Sequence, residues 1–464
     1  MKPTIDWLQH QTGGLLVLCA LAIAVLLFLI IKIKLEPFIA LLVSGLLLAL
    51  AAGLSVEQIV GTALSAKTSL IETGFAGILG HITPIIGLGT VLGAILEASG
   101  GADVLTRRLL GLFGERRAPL AMGLAGLIFG IPVFFDIGIF VLAPLVYISA
   151  RRGGRSLVLY ALPLLAGLSI THAVLPPHPG PVAAAGLLGI ELGWLIIMGL
   201  ACGIPAFLVA GVAWGSYIGK RIHVEVPGEF IAAPDETREE RPAPSLGLVG
   251  LVIAIPLLLI LLATFGGVWW KGSAVLPLVT FLGNPAVALT IAVLLAMWLL
   301  GTRRGMTGAE LSKLTSTSLR PVGMILLVVG AGAFFGAVIA ATGVGKALAT
   351  TLSSAGLPVI VLAYLISCGM RLAQGSATVA IVTTGGIVAP LVKDLHYSQA
   401  HLALIAIAIA AGSIIASHLN DGGFWIVSRY FNLSVKDTLK TWTVLETILS
   451  LVGFAMAGLL SLVV

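Results

Sequence analysis

The run from Ala118 to Ala150 contains Gly130-Ile131-Pro132-Val133-Phe134-Phe135-Asp136-Ile137-Gly138, and the reading of that interruption decides the fold. At about 1.5 Å per residue, one helix over the whole run would reach roughly 50 Å, well beyond the ~30 Å hydrocarbon core of a bilayer. Pro132 lacks the N–H needed by a helical ladder and clashes with the preceding turn, so a helix does not pass through it undisturbed. Arginines flank the run on both sides: Arg116 and Arg117 before it, Arg151, Arg152 and Arg155 after it. The positive-inside rule assigns both flanks to the cytoplasm. The run is therefore read as a re-entrant hairpin, 118–150, that turns at Pro132 to Asp136.

Composition places the hairpin in a membrane. Of 464 residues, 58% are hydrophobic and only 10% charged, against roughly a quarter charged in a soluble domain. Several apolar runs reach the ~20 residues that cross a bilayer, and Trp269-Trp270 sits at a run end as an interfacial anchor would. The ~10-residue alternation of an outer-membrane barrel is absent, so the class is all-α integral membrane. Gly14 to Ile31 has no small-residue cleavage site and its lysines, Lys32 and Lys34, follow it, so it is read as a retained span. The net charge of +6 is a topology signal rather than a sign of nucleic acid. Cys19, Cys202 and Cys368 lie in apolar segments without pairing or metal spacing and read as core.

The remaining apolar runs are Pro37 to Gly53, Gly74 to Ala98, Leu157 to Gly189, Leu192 to Ile218, Leu246 to Phe265, Ala286 to Leu300, Pro321 to Ala341, Leu357 to Val392, Ser398 to Val427 and Thr441 to Val464. About ten spanning helices, two re-entrant hairpins (118–150 and 357–392) and two broken helices (157–189 and 398–427) are expected. A charged, proline-bearing segment, 220–245, reads as a cytoplasmic linker between a first half, 1–219, and a second half, 246–464. Under this topology twenty lysines and arginines fall inside, five outside (Lys2, Lys67, Lys271, Lys346 and Lys393), and Arg371 falls within the membrane. Both termini are then periplasmic.

The halves share sequence. Leu92 to Gly100 aligns with Phe335 to Gly343, Ala143-Pro144-Leu145-Val146 aligns with Ala389-Pro390-Leu391-Val392, and at the same offset His172 falls on His418. The charge count has the halves entering from opposite faces, which makes an inverted repeat. Such repeats with broken helices place a substrate near the bilayer midplane, where helix ends and free backbone groups converge, and this layout points to a transporter. The first break, Thr171-His172-Ala173-Val174-Leu175-Pro176-Pro177-His178-Pro179-Gly180-Pro181, cannot be continuous helix, and unpaired backbone at membrane depth is tolerated only where it lines protein or a watery cavity.

Candidate site residues follow from the tips and breaks. Asp136 at the first tip is a carboxylate at membrane depth, which requires a partner or a role and is a candidate proton carrier. At the second tip Gly375, Ser376, Ala377 and Thr378 open a helix and offer N–H groups to an anion. Arg371 either grips a carboxylate with its fork, or pairs with Asp136 or backbone carbonyls and holds the tips together. Thr171, His178 and Asn420 are candidates for substrate hydroxyls, and His172, His418 and Asp421 for proton relay. His178 reads as the direct member of the first break and His172, matched by His418, as the structural one. Glu97 and Glu446 read as packing or interfacial groups. No H-E-x-x-H, Walker loop or G-x-S-x-G elbow is present, so neither a metal nor ATP is expected to drive the chain.

The segments Gly130 to Val146, Thr171 to Pro181, Gly375-Ser376-Ala377-Thr378-Val379-Ala380 and Ser417-His418-Leu419-Asn420-Asp421-Gly422-Gly423-Phe424-Trp425 resemble the gluconate permease (gluconate:proton symporter) family, part of the ion-transporter superfamily. The resemblance implies a bacterial inner-membrane carrier that imports a small anionic sugar acid by proton symport, with no cofactor beyond the proton. Its partners are then the sugar acid, protons and the lipid bilayer, with no nucleic acid; a homo-oligomer is compatible with it. Members also carry idonate, fructuronate, glycerate or D-serine, so a D-serine, glycerate or other hydroxy-acid symporter is the alternative. An intramembrane enzyme is the competing class, but no nucleophile and base stand at a useful spacing.

Overall fold

Lipid offers no partner for a backbone N–H or C=O, so a chain this apolar must pair them within each segment. The computed structural model describes residues 2–62, 69–114, 117–226, 243–270, 273–320, 322–344, 347, 351, 358–393, 395–419 and 421–464. Among these, every regular element is helical. Among the described residues, eight stretches are long and apolar enough to cross a membrane: Thr12–Ile30, Leu70–Ala98, Leu157–Leu188, Leu192–Gly219, Leu246–Gly266, Pro285–Arg304, Gly308–Ala341 and Val435–Leu460. About ten were expected. Part of the difference is Pro37–Ala51, whose 15 helical residues fall short of a full crossing.

The interruptions sit where proline and glycine direct them. Helix Ala118–Phe129 stops before Gly130, and helix Phe135–Gly153 starts after Pro132. Helix Leu157–Val174 gives way at Leu175 to Pro177, and Pro179, at the first position of helix Pro179–Leu188, supplies a preset φ where no N–H is needed. In the second half, helices Val359–Gln374 and Ala377–Lys393 are separated by Gly375 and Ser376, and helices Gln399–Ile414 and Gly422–Tyr430 by the segment that ends at Asp421. Among the described residues there are three short π-helical turns, Leu208–Trp214, Met297–Gly301 and Leu439–Thr443. The third lies beside the site described below.

Helix Leu157–Val174 is the axis of the larger core: every residue in it is buried except His172. An all-round apolar helix belongs inside, and its one half-exposed residue is an imidazole. It packs backbone to backbone on Ala118–Phe129. A Cβ at Gly167 would lie 2.5 Å from both the Gly123 carbonyl and the Leu127 N–H, and one at Gly126 would strike the Leu164 carbonyl. Small residues replace hydrophobic drive as the means of close association in lipid. Gly167→Leu is therefore expected to destabilise the protein by at least ~3 kcal/mol and to abolish its monodisperse peak in detergent gel filtration. Gly111→Leu, where a Cβ meets nothing within 4 Å, should leave the peak unchanged. A smaller core joins Thr12–Ile31, Pro37–Ala51 and one side of Val322–Ala341 through Leu26, Leu41, Phe334 and Phe335.

The start of the expected linker is tied down. The Leu157 N–H donates to the Val224 carbonyl (2.9 Å), and the Ser156 hydroxyl donates to the Ile222 carbonyl (2.7 Å). Residues 227–242 of that linker lie outside the described residues.

Candidate substrate site

Three helix starts meet at one cavity of ≈ 410 Å³. Helix Phe135–Gly153 contributes Phe135 and Asp136, helix Ala377–Lys393 contributes Ala377 and Thr378, and helix Gly422–Tyr430 contributes Gly422 and Gly423. A helix N-terminus carries unpaired N–H groups and partial positive charge, so the convergence favours an anion. The volume lies within the ~300–1,000 Å³ of small-molecule sites.

Arg371 organises the wall. It ends the helix Val359–Gln374 and is 4% exposed. Its Nη1 donates to the Gly375 carbonyl and its Nη2 to the Asp421 carboxylate. Asp421 also accepts from the Ser417 hydroxyl and, at 2.9 Å, from the Gly423 N–H, which makes it the N-cap of the helix Gly422–Tyr430. One ion pair thus locks the second tip to the second helix break. Behind it, the Trp442 indole donates to the Ser417 hydroxyl (2.8 Å) and stacks on Phe135 (5.4 Å between centroids), which joins the first tip to the same network. Two buried polar atoms on this wall have no hydrogen-bond partner among the described residues: Arg371 Nε and Glu446 Oε1.

Eight of the residues singled out by sequence reach the wall: Asp136, His172, Arg371, Gly375, Ser376, Ala377, Thr378 and Asp421. Asn420 lies outside the described residues. Thr171, His178 and His418 are not among the residues that line it. The Thr171 hydroxyl donates back to the Gly167 and Leu168 carbonyls (2.9 and 3.1 Å), because one residue's step along a helix turns it some 100° away from the face that His172 presents. His178 is buried behind His172: its Nδ1 meets His172 Nδ1 at 3.2 Å, and its Nε2 hydrogen-bonds the Gly130 carbonyl. In the first break it is therefore His172, and not His178 as expected, that lines the cavity, with His178 packed behind it. His418 uses Nδ1 on the Ala416 carbonyl at 2.8 Å.

Asp136 is exposed, and Arg371 pairs with Asp421 rather than with it. Asp136 stands between the central cavity and a second one of ≈ 430 Å³ lined by Thr90, Glu97, Thr317 and Ser318. Glu446, read as a packing group, is 1% exposed and lines the central cavity with Ser169 and Trp442. A lone Glu four residues after a Trp in an apolar run was the available signal, and it does not say which face it occupies.

A family profile described as GntP family permease matches residues 14–463. The chain belongs to the GntP permease family. This GntP permease is 40% identical to the gluconate permease of Pseudomonas aeruginosa over 94% of this chain and 95% of that one. It is 42% identical to the inner membrane permease YgbN of Escherichia coli (96% and 98% covered) and 38% identical to the gluconate permease of Bacillus subtilis (97% and 100%). In fold it is similar to the YdaH transporter of Alcanivorax borkumensis, with a TM-score of 0.63 over 92% of this chain and 97% of that one at 17% identity. Neisseria gonorrhoeae MtrF, described with a class of antimetabolite efflux pumps, gives 0.57 over 98% and 96% at 16% identity. These likenesses make the chain a multi-pass inner-membrane permease, a transporter and not an enzyme.

Proposed function

We propose that this permease imports gluconate or a related sugar acid together with a proton. The observation that carries the reading is the buried Arg371, with one N–H unpartnered, beside the helix start Ser376 to Thr378 in a cavity of small-molecule size. The substrate carboxylate lies against those N–H groups and Arg371 Nε, and His172 and Ser169 stand where hydroxyls would reach. The relatives named gluconate permeases supply the substrate class. The halves 1–219 and 246–464 act as inverted copies, with the termini periplasmic and the site near the midplane. One proton with one monoanion makes import electrically neutral, and the buried acids and the imidazole at the wall, Asp421, Glu446 and His172, are where that proton is exchanged.

The test is uptake of labelled gluconate into proteoliposomes. An inwardly directed proton gradient is expected to drive accumulation above the outside concentration, and uptake indifferent to the gradient removes the coupling claim. A competition panel sets the substrate: unlabelled gluconate and other sugar acids should suppress uptake more strongly than glycerate or D-serine. The reverse order assigns the chain to the smaller acids.

A further inference from the structure

Glu446 is a carboxyl outside the sequence motifs and outside the Arg371–Asp421 network, with Ser169 as its side-chain hydrogen-bond partner. It is the third residue of the helix Val444–Leu460, just beyond the π-helical turn Leu439–Thr443 that carries Trp442. It is 1% exposed, it lines the central cavity, and its Oε1 has no partner among the described residues. The charged and titratable groups that share the wall are Arg371 from Val359–Gln374, Asp421 before Gly422–Tyr430, His172 from Leu157–Val174, and Asp136 at the cavity's exposed edge. The other elements packed on Val444–Leu460 add no charge at the wall: the turn Leu208–Trp214 has no charged residue, and Lys440 of the turn Leu439–Thr443 is not among the lining residues. Leu192–Phe207 contains no charged residue, and Gln399–Ile414 presents Ile414 there while its His401 stacks on Tyr397 at the opposite end.

Charge accounting within that wall gives the inference. Arg371 and Asp421 form a closed pair that sums to zero. With the water-exposed Asp136 set aside, an ionised Glu446 leaves the buried part of the wall at minus one, and a sugar-acid anion beside it would make minus two. A buried uncompensated charge is strongly unfavourable, and two like charges more so. Adding one proton to Glu446 removes the conflict without breaking the Arg371–Asp421 pair. It also makes the carboxyl a donor that a substrate hydroxyl can accept. Asp421 is less suited to the task, since its carboxylate already accepts from Arg371, Ser417 and Gly423, and protonation would break bonds that close the tip. Asp136 is exposed and can keep its charge in water whether or not the anion is present.

We infer that Glu446 is the proton-coupling residue of this permease: substrate anion and proton bind together because Glu446 must be neutral for the anion to enter. This rests on the sugar-acid reading above and sharpens it to one side chain. Because binding linkage is reciprocal, the proton favours the anion by the factor with which the anion favours the proton.

The experiment compares wild type, Glu446→Gln and Asp136→Asn in proteoliposomes. In wild type the KM for gluconate is expected to rise about tenfold per pH unit on the alkaline limb, the slope for one linked proton. In Glu446→Gln the slope vanishes and uphill accumulation is lost, while exchange of labelled for unlabelled gluconate continues. Asp136→Asn keeps the wild-type slope. A Glu446→Gln protein that retains slope and accumulation overturns the assignment, as does loss of the slope in Asp136→Asn alone. A wild-type protein that takes up no gluconate at any pH overturns instead the substrate reading of the preceding subsection. If Glu446→Gln does not fold, infrared difference spectra of wild type and Glu446→Asp decide. Gluconate binding should raise a protonated-carboxyl C=O band that shifts in the Asp variant; no such band overturns the inference.

Discussion

Arg371→Met is expected to abolish gluconate uptake and to lower stability by about 3–5 kcal/mol, the usual consequence of stranding one member of a buried ion pair. The stranded group is Asp421, whose other partners, Ser417 and Gly423, only partly satisfy it. Two roles for Arg371 separate in the double variant Arg371→Met/Asp421→Asn. Removing the second charge should restore much of the melting temperature in detergent, because no isolated charge remains. If Arg371 served only to join the second tip to the second break, uptake would return with stability. If its unpartnered Nε receives the substrate carboxylate, uptake stays absent in a protein that is again stable, and that is the expected result. Arg371→Lys keeps a charge but loses the planar fork, and one ammonium cannot hold the Gly375 carbonyl, the Asp421 carboxylate and a ligand in the same geometry. Its KM should rise at least ~10-fold, equivalent to 1.4 kcal/mol, and an unchanged KM would remove Arg371 from the substrate's contacts.

The pair Arg371–Asp421 also shows where reading the sequence runs out. Proline and glycine act through the local backbone, so the interruptions near Pro132, at Leu175 to Pro177 and at Gly375 could be placed from residue type alone. Which acid meets Arg371 depends on how helices fifty residues apart pack, and neither spacing nor charge separates Asp136 from Asp421 in advance. The placement of the two histidines is hidden from the sequence for a different reason. His178 stands at the break itself and His172 within a helix, which favours His178, yet the turn folds the His178 ring onto the Gly130 carbonyl and leaves the half-buried His172 at the cavity. Glu446 was the hardest. A single acid in an apolar helix reads alike whether it meets a neighbour, an interface or a cavity, and only the position of Trp442 against Phe135 shows that this helix forms part of the wall. Hydropathy does not measure how many residues of an apolar run are helical, as at Pro37–Ala51, where 15 helical residues fall short of a full crossing.

Gly375 carries the second large effect, through backbone conformation rather than charge. Its φ is +81°, in the left-handed region, where it closes the helix Val359–Gln374 by giving its N–H to the Arg371 carbonyl at 2.9 Å. Its own carbonyl receives Arg371 Nη1, and the next residue, Ser376, leads into the helix whose first N–H groups face the cavity. A change at this one φ therefore moves both halves of the proposed carboxylate site at once. A β-branched side chain is the least tolerant of positive φ, whereas Asn is several-fold enriched there. Gly375→Val should relax toward negative φ, turn the carbonyl away from Arg371 and reduce uptake by more than tenfold. Its direct loss of stability should be smaller than that of Arg371→Met, about 1–2 kcal/mol. Gly375→Asn should retain most of the uptake despite a side chain of comparable bulk, and Gly375→Ala should fall between the two. That order, Asn above Ala above Val, is what a conformational requirement demands. If Asn and Val are equally impaired, the space beside the cavity is what matters at Gly375, and the argument that its φ aims Arg371 and the helix start at a common anion fails.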